Sequence, residues 1–192
     1  MTDAQAAARA VELAELVEGG LVRALPTEDS SVLDEFGAQR LLGSMRYSLS
    51  TPGKRIRPLL VYATGECLKL DVDYLDAPAI AIELIHAFSL VHDDLPSMDN
   101  DELRRGKLSV HKKFNEFTAI LAGNSLLTLA FEILSGDNLQ LPQNHKNELI
   151  KTLSMCAGHS GLAGGQYSDL TFENKSILKK NIINMQKKKT GE

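Results

Sequence analysis

An all-α fold is expected from three observations. Apolar residues recur at three- and four-residue spacing through almost the whole chain. Long stretches are rich in Ala, Leu and Glu, which are strong helix formers. No alternating strand pattern and no hairpin signal such as Asn-Gly is found. The elements follow in order. "TDAQAAARAVELAELVEGGLVRAL" reads as the first helix, with Thr2 or Asp3 as N-cap. "LPTEDSS" reads as a loop, and "VLDEFGAQRLLGSMRYSL" returns to helical spacing. "STPGKRIRP" is a breaker cluster leading into the next helix, with Pro58 suited to its first turn. "LLVYATGECLKL" continues that helix, and "DVDYLD" is a polar turn. Residues 77–92 form the most apolar helix, buried on most sides. A further helix covers "EFTAILAGNSLLTLAFEIL". "SGDNLQLPQN" breaks it, "HKNELIKTLSMCAGHSGLAGGQYSDL" resumes the helical pattern, and "SILKKNIINMQKKKT" is an amphipathic tail.

The bulk composition narrows the class of function. With 192 residues, 43% of them hydrophobic and 24% charged, the chain can build one core as a single domain, residues 1–192. No linker is long enough to split it. A net charge of −4 gives no reason to expect nucleic acid as a partner. Cys67 and Cys156 are far apart and outside any zinc-type spacing, which fits a reducing compartment. The N-terminus lacks a basic segment followed by an apolar run, so no signal peptide is expected. The longest uncharged runs, 117–131 and 152–168, fall short of a membrane span. A cytoplasmic protein without a stable membrane anchor is expected.

The chemistry-bearing stretch is "LVHDDLPSMDNDELRRGKLSVH", residues 90–111. Asp93 and Asp94 close the apolar helix, because Pro96 disfavours its continuation. If the chain turns at "LPSM", Asp93, Asp94 and Asp99 can converge. Converging carboxylates repel, and a hard divalent ion such as Mg²⁺ shared with substrate phosphates resolves that conflict. A solvated acidic loop paired with its neighbouring arginines is the other reading. Arg104 and Arg105 are adjacent, so on a helix they diverge by about 100°. They could face two anions, or form surface ion pairs with Asp101 and Glu102. Lys54, Arg55 and Arg57 of "GKRIRP" make a second basic cluster, with Lys54 and Arg57 on one helical face. An anion site at a helix start and a solvated basic run both fit it. His86 lies seven residues before Asp93 on a similar face, and can be a hydrogen-bonded core residue or a site residue.

"GKRIRP", "IELIHAFSLVHDDLPSMDNDELRRG", "GLAGGQYSDL" and "KKKTG" stand in the order shown by the trans-isoprenyl (polyprenyl) diphosphate synthase family. They most resemble its bacterial farnesyl type. The resemblance implies an all-α bundle around a central cavity, in a homodimer. It implies Mg²⁺-dependent, head-to-tail condensation of isopentenyl diphosphate with an allylic diphosphate, dimethylallyl or geranyl, through an allylic carbocation. By this resemblance Asp93, Asp94 and Asp99 form the first aspartate-rich motif, with Asp93 and Asp99 the direct Mg²⁺ ligands. Arg104 resembles the allylic diphosphate contact. Lys54, Arg57, His86 and Arg105 resemble the isopentenyl diphosphate site. Lys189 and Thr190 resemble a further allylic contact, with Lys189 among the catalytic set, and Gln166 the polar residue facing the cavity. Phe88, five residues before Asp93, resembles the bulky residue that stops growth at fifteen carbons. That favours farnesyl over geranylgeranyl product.

The family carries a second aspartate-rich motif beyond "KTG", whereas this sequence ends at Glu192. The expectation is therefore the N-terminal two-thirds of a synthase, a bundle incomplete at its C-terminus. Ile177, Ile182, Ile183 and Met185 are then expected to lack partners. The alternative is a non-catalytic subunit that binds diphosphates or a fuller synthase. A terpene cyclase shares the aspartate motif but has no use for "GKRIRP" and the paired arginines. The glycines at 158, 161, 164 and 165 are expected to serve close helix packing, and Asp71, Asp73 and Asp76 a turn rather than a calcium loop. The lysines at 179, 180, 187 and 188 are expected to form a solvated face.

Overall fold

The computed structural model describes residues 2–26, 38–51 and 53–191. The all-α expectation holds: the described chain is helical apart from one two-residue-per-strand ribbon. It forms two compact units, Met1–Leu141 and Pro142–Glu192, divided where Pro142 follows the broken segment after Ser135. Most of the predicted loop 25–31 and the start of the second helical pattern lie outside the described residues.

The first unit is built on an antiparallel pair of apolar helices. Helix α1 (Asp3–Ala24) starts from a capping box between Thr2 and Gln5. Its apolar side, with Leu13, Val17 and Leu21 buried, packs on α3 (Ile56–Leu68) and α4 (Asp76–Asp93). Helix α2 (Ala38–Leu49) packs on α4, on the short α5 (Val110–Lys113) and on α6 (Glu116–Ser135). Helices α4 and α6 form the most extensive pairing in the chain. Leu84, Ala119, Ala122, Leu126 and Ala130 are fully enclosed, and the small residues let the two axes approach closely. At Gly123 there is no room for a Cβ, because the His92 ring lies against it. His92 Nε2 is 3.1 Å from the Ile120 carbonyl, and Phe88 meets the ring edge-on with centroids 5.0 Å apart.

By length and composition alone, α6 and the segment Val72–Asp93 could each cross a membrane. Half of the second of these is buried within the protein. The "DVDYLD" segment is the expected turn: Asp71 caps a single tight turn at Val72–Tyr74 by accepting from the Asp73 amide at 3.2 Å.

The second unit contains α7 (Gln143–Ala157), α8 (Leu162–Phe172) and α9 (Lys179–Gln186), followed by one wide turn, Lys187–Gly191. Gly165 on α8 serves the close packing expected of it, since a Cβ there would overlap the Lys189 backbone. Ile182 and Ile183 are exposed, as expected for apolar residues without partners, whereas Ile177 and Met185 are half-buried.

Candidate active site

The C-terminal end of α4 delivers two adjacent carboxylates, and the loop after it folds back sharply. The Met98 and Asn100 amides donate to the Leu95 carbonyl at 2.9 and 3.1 Å, and the Asp99 amide donates to the Asp93 carbonyl at 2.9 Å. Asn100 takes the left-handed conformation this reversal requires, at φ 52°. Asp99 is thereby returned beside Asp93, as the turn at "LPSM" predicted.

Asp94 goes elsewhere. Its buried carboxylate accepts from Arg104 Nε at 3.0 and 3.3 Å, and from Arg104 Nη2. Among the described residues no three His, Cys, Asp or Glu side chains gather as a metal-holding group, and Asp94 of the expected three is turned to Arg104. The reason is electrostatic. Burial pushes the Asp94 carboxyl up, and the Arg104 fork opposes that by holding the ionised form.

The two arginines are not on a helix. Strands β1 (Leu103–Arg104) and β2 (Lys107–Leu108) pair antiparallel, with Leu103 opposite Leu108 and Arg104 opposite Lys107. Arg105 and Gly106, at φ 53° and 80°, form the two-residue turn. The reversal, rather than a helical 100° step, sends Arg104 to Asp94. The Arg105 guanidinium lies against Gly53, where a Cβ would overlap Nη1.

The basic cluster divides its labour. Arg55 is buried at a left-handed backbone position, φ 47°, just before α3. Its Nε donates to Glu18 Oε1, Nη1 to Glu83 Oε1 and Nη2 to the Leu49 carbonyl, each at 2.7 Å. Burial works against the Arg55 charge, but the bonds to Glu18 and Glu83 outweigh it and raise its pKa. Lys54 and Arg57, on either side of this anchor, border a cleft of about 500 Å³ together with Gly53, Ile56, His86 and Arg105. All four residues expected to hold isopentenyl diphosphate meet at this one cleft. Among the described residues no carboxylate pairs with Lys54 or Arg57. A narrower space of about 40 Å³ lies between Tyr47, His86, Asp94, Arg104 and Ser109. In a separate cleft beside Arg23, Asp71, Asp73, Asp76 and Glu132, the Asp71 carboxylate is engaged in capping and Asp76 accepts from the Tyr62 hydroxyl at 2.7 Å.

His86 is neutral in this setting. Burial, and then the charges of Arg57, Arg105, Arg55 and Arg104, push its pKa down to about 4. Unfolded, His86 titrates near ~6.5. Between about pH 6.5 and 4 the unfolded chain therefore binds the extra proton, so stability rises with pH across this window and is lost as pH falls through it. Urea midpoints are expected to drop from pH 7 to pH 4.5, and the drop is expected to shrink in His86→Gln. An equal drop in both proteins would assign the effect to other groups.

In the second unit Gln166 is buried, with neither amide atom partnered among the described residues. Lys189 Nζ pairs with Asp169 Oδ2 at 2.5 Å, and Thr190 is exposed. Phe88 is half-buried on α4. Sequence reasoning missed Glu83 and the structural use of Arg55. The signal was present: a lone Glu inside an apolar helix needs a buried partner.

The family model for polyprenyl synthetase matches residues 38–192. The chain is 46% identical over 149 residues to the farnesyl diphosphate synthase of Escherichia coli (strain K12), covering 77% of this chain and 50% of the relative. It is 45% identical over 157 residues to that of Geobacillus stearothermophilus, covering 81% and 53%. The chain thus spans about half the length of the curated relatives it matches. Among solved structures, an FPP/GFPP synthase from Zymomonas mobilis superposes with a TM-score of 0.90 at 38% identity, over 99% of this chain and 67% of that one. A geranyltransferase from Legionella pneumophila gives 0.86 at 37%, over 95% and 62%. With the ordered motifs, the helical fold and a family match over most of its length, the chain belongs to the polyprenyl synthetase family.

Proposed function

We propose that the chain is a prenyltransferase that condenses isopentenyl diphosphate with dimethylallyl or geranyl diphosphate to give farnesyl diphosphate. The observation that carries this reading is the cleft at which Lys54, Arg57, His86 and Arg105 meet. Three cations around a neutral imidazole suit a diphosphate, and the arginine forks suit its oxygens. Arg104, held by Asp94 at the neighbouring space, is assigned to the allylic diphosphate, with Lys189 and Thr190 as further contacts.

Asp93 and Asp99 suit Mg²⁺, which is bound through one or two carboxylates plus substrate phosphates and keeps several waters. When bound, the ion supplies charge neutralisation to the departing diphosphate. Asp94 is assigned to the same motif as the carboxylate that orients Arg104. The protein's own part is to hold both diphosphates, to aim them, and to keep water from the cationic carbon with apolar helix surface. Gln166, buried with a free amide, is assigned a substrate contact, and Phe88 the limit on product length. The reading extends to a cytoplasmic homodimer on resemblance to the family.

The test is a radiolabelled condensation assay on the purified chain with Mg²⁺, isopentenyl diphosphate and either allylic substrate, products being separated by length. Fifteen-carbon product supports the reading. Twenty-carbon product moves the assignment to geranylgeranyl synthesis. No product from a folded chain that still binds diphosphate leaves a non-catalytic binding subunit.

A further inference from the structure

A ribbon of two residue pairs has too few ladder bonds to stand alone in water. The one that carries Arg105 has no apolar anchor either, since Leu103 and Leu108 are 59% and 49% exposed. It is held by polar tethers. The Ser109 amide closes it on the Glu102 carbonyl at 2.9 Å, and Arg104 ties its first strand to Asp94. Its return strand is tied to the end of α2 twice. Lys107 Nζ donates to the Ser50 carbonyl at 3.3 Å, and the Tyr47 hydroxyl donates to the Leu108 carbonyl at 2.7 Å.

The Tyr47 bond is the shorter of these two, and its donor is itself fixed. Lys113 Nζ stands 4.3 Å over the Tyr47 ring, and Phe114 meets the ring edge-on with centroids 5.8 Å apart. Arg40 covers Phe114 in turn, at 6.0 Å. A rigid phenol thus grips the strand that begins two residues after Arg105. We propose that Tyr47 is a positioning residue: through the Leu108 carbonyl it holds the Arg105–Gly106 turn so that Arg105 faces the cleft at Gly53 and His86. This inference rests on reading that cleft as a diphosphate site.

Calorimetric titration of the full chain with inorganic diphosphate, without metal, tests it. Tyr47→Phe keeps the ring and its contacts with Lys113 and Phe114 and removes only the hydroxyl. It is expected to weaken binding about fivefold, the worth of one net hydrogen bond, with an unchanged unfolding midpoint. Arg105→Gln is expected to weaken binding at least about tenfold, as a charge-assisted contact. In the Arg105→Gln background, Tyr47→Phe is expected to cost nothing more, because it acts through Arg105. A general structural role would instead add its loss in both backgrounds, and that result overturns the inference. So does wild-type affinity in Tyr47→Phe while Arg105→Gln is weakened, which leaves the cleft reading standing. If neither Arg105→Gln nor Lys54→Gln changes diphosphate binding, the cleft reading itself falls, and the inference falls with it.

Discussion

Glu83→Ala is expected to destabilise the protein by about 3–5 kcal/mol, the cost of leaving a buried charge without its partner. Arg55 and Glu83 are 7% and 3% exposed and are joined at 2.7 Å. Glu18, the other carboxylate on Arg55, has a side chain 50% exposed, so water screens it and it cannot replace Glu83. Glu18→Ala is accordingly expected to cost about 1 kcal/mol or less. Replacing both members of the buried pair, Arg55→Met with Glu83→Leu, is expected to recover much of the loss, since no orphaned charge remains. Urea unfolding of the four proteins checks this. Equal losses in Glu83→Ala and Glu18→Ala would remove the argument that burial sets the difference. The same variant should also lower affinity for diphosphate, because Arg55 fixes the turn between Lys54 and Arg57.

The second large effect is on turnover. Asp93→Ala is expected to reduce condensation at least about a hundredfold, the scale on which loss of one group that stabilises developing charge is felt. Asp99→Ala should behave alike, since the Asp99 amide to Asp93 carbonyl bond makes the two neighbours. Asp99 is exposed, so Asp99→Ala should leave the unfolding midpoint nearly unmoved. Asp94→Ala should differ in kind. It removes a buried, ion-paired carboxylate, so it should lower stability as well as rate. Rates from label incorporation, read beside thermal midpoints, separate the two classes. If Asp93→Ala lost rate only in proportion to lost folded protein, its assigned role would fail.

The helices were legible because each carries its own evidence. The Thr2 cap, the apolar run to Asp93 and the break after Ser135 are local signals, and the structure places the helix ends beside them. The meeting of Lys54, Arg57, His86 and Arg105 was legible only through resemblance, because no spacing rule joins residues so far apart in sequence. The ribbon at 103–108 was invisible. Two-residue strands show no alternation, and the turn residues Arg105–Gly106 lack the Asn-Gly or Asp-Gly signature. Arg55 was hidden for another reason. A basic run reads as a solvated face, and the carboxylate that buries this one member lies 28 residues away on another helix. Asp94 shows the same limit: adjacency to Asp93 suggested a shared task, but a helix terminus points neighbours in different directions.

The contact of His92 with Gly123 sets the azimuth of a whole helix. The imidazole is wedged between Phe88 and the α6 backbone, and hydrogen-bonded at Ile120. Helix α4 therefore cannot roll about its own axis without driving that ring into α6. Residue 93 follows on the same spiral, so a roll of one residue, about 100°, would swing it to another side of the helix. The missing side chain at position 123 thus acts like the notch of a key. It lets α4 seat at one angle, and by that angle it sets where the first carboxylate stands.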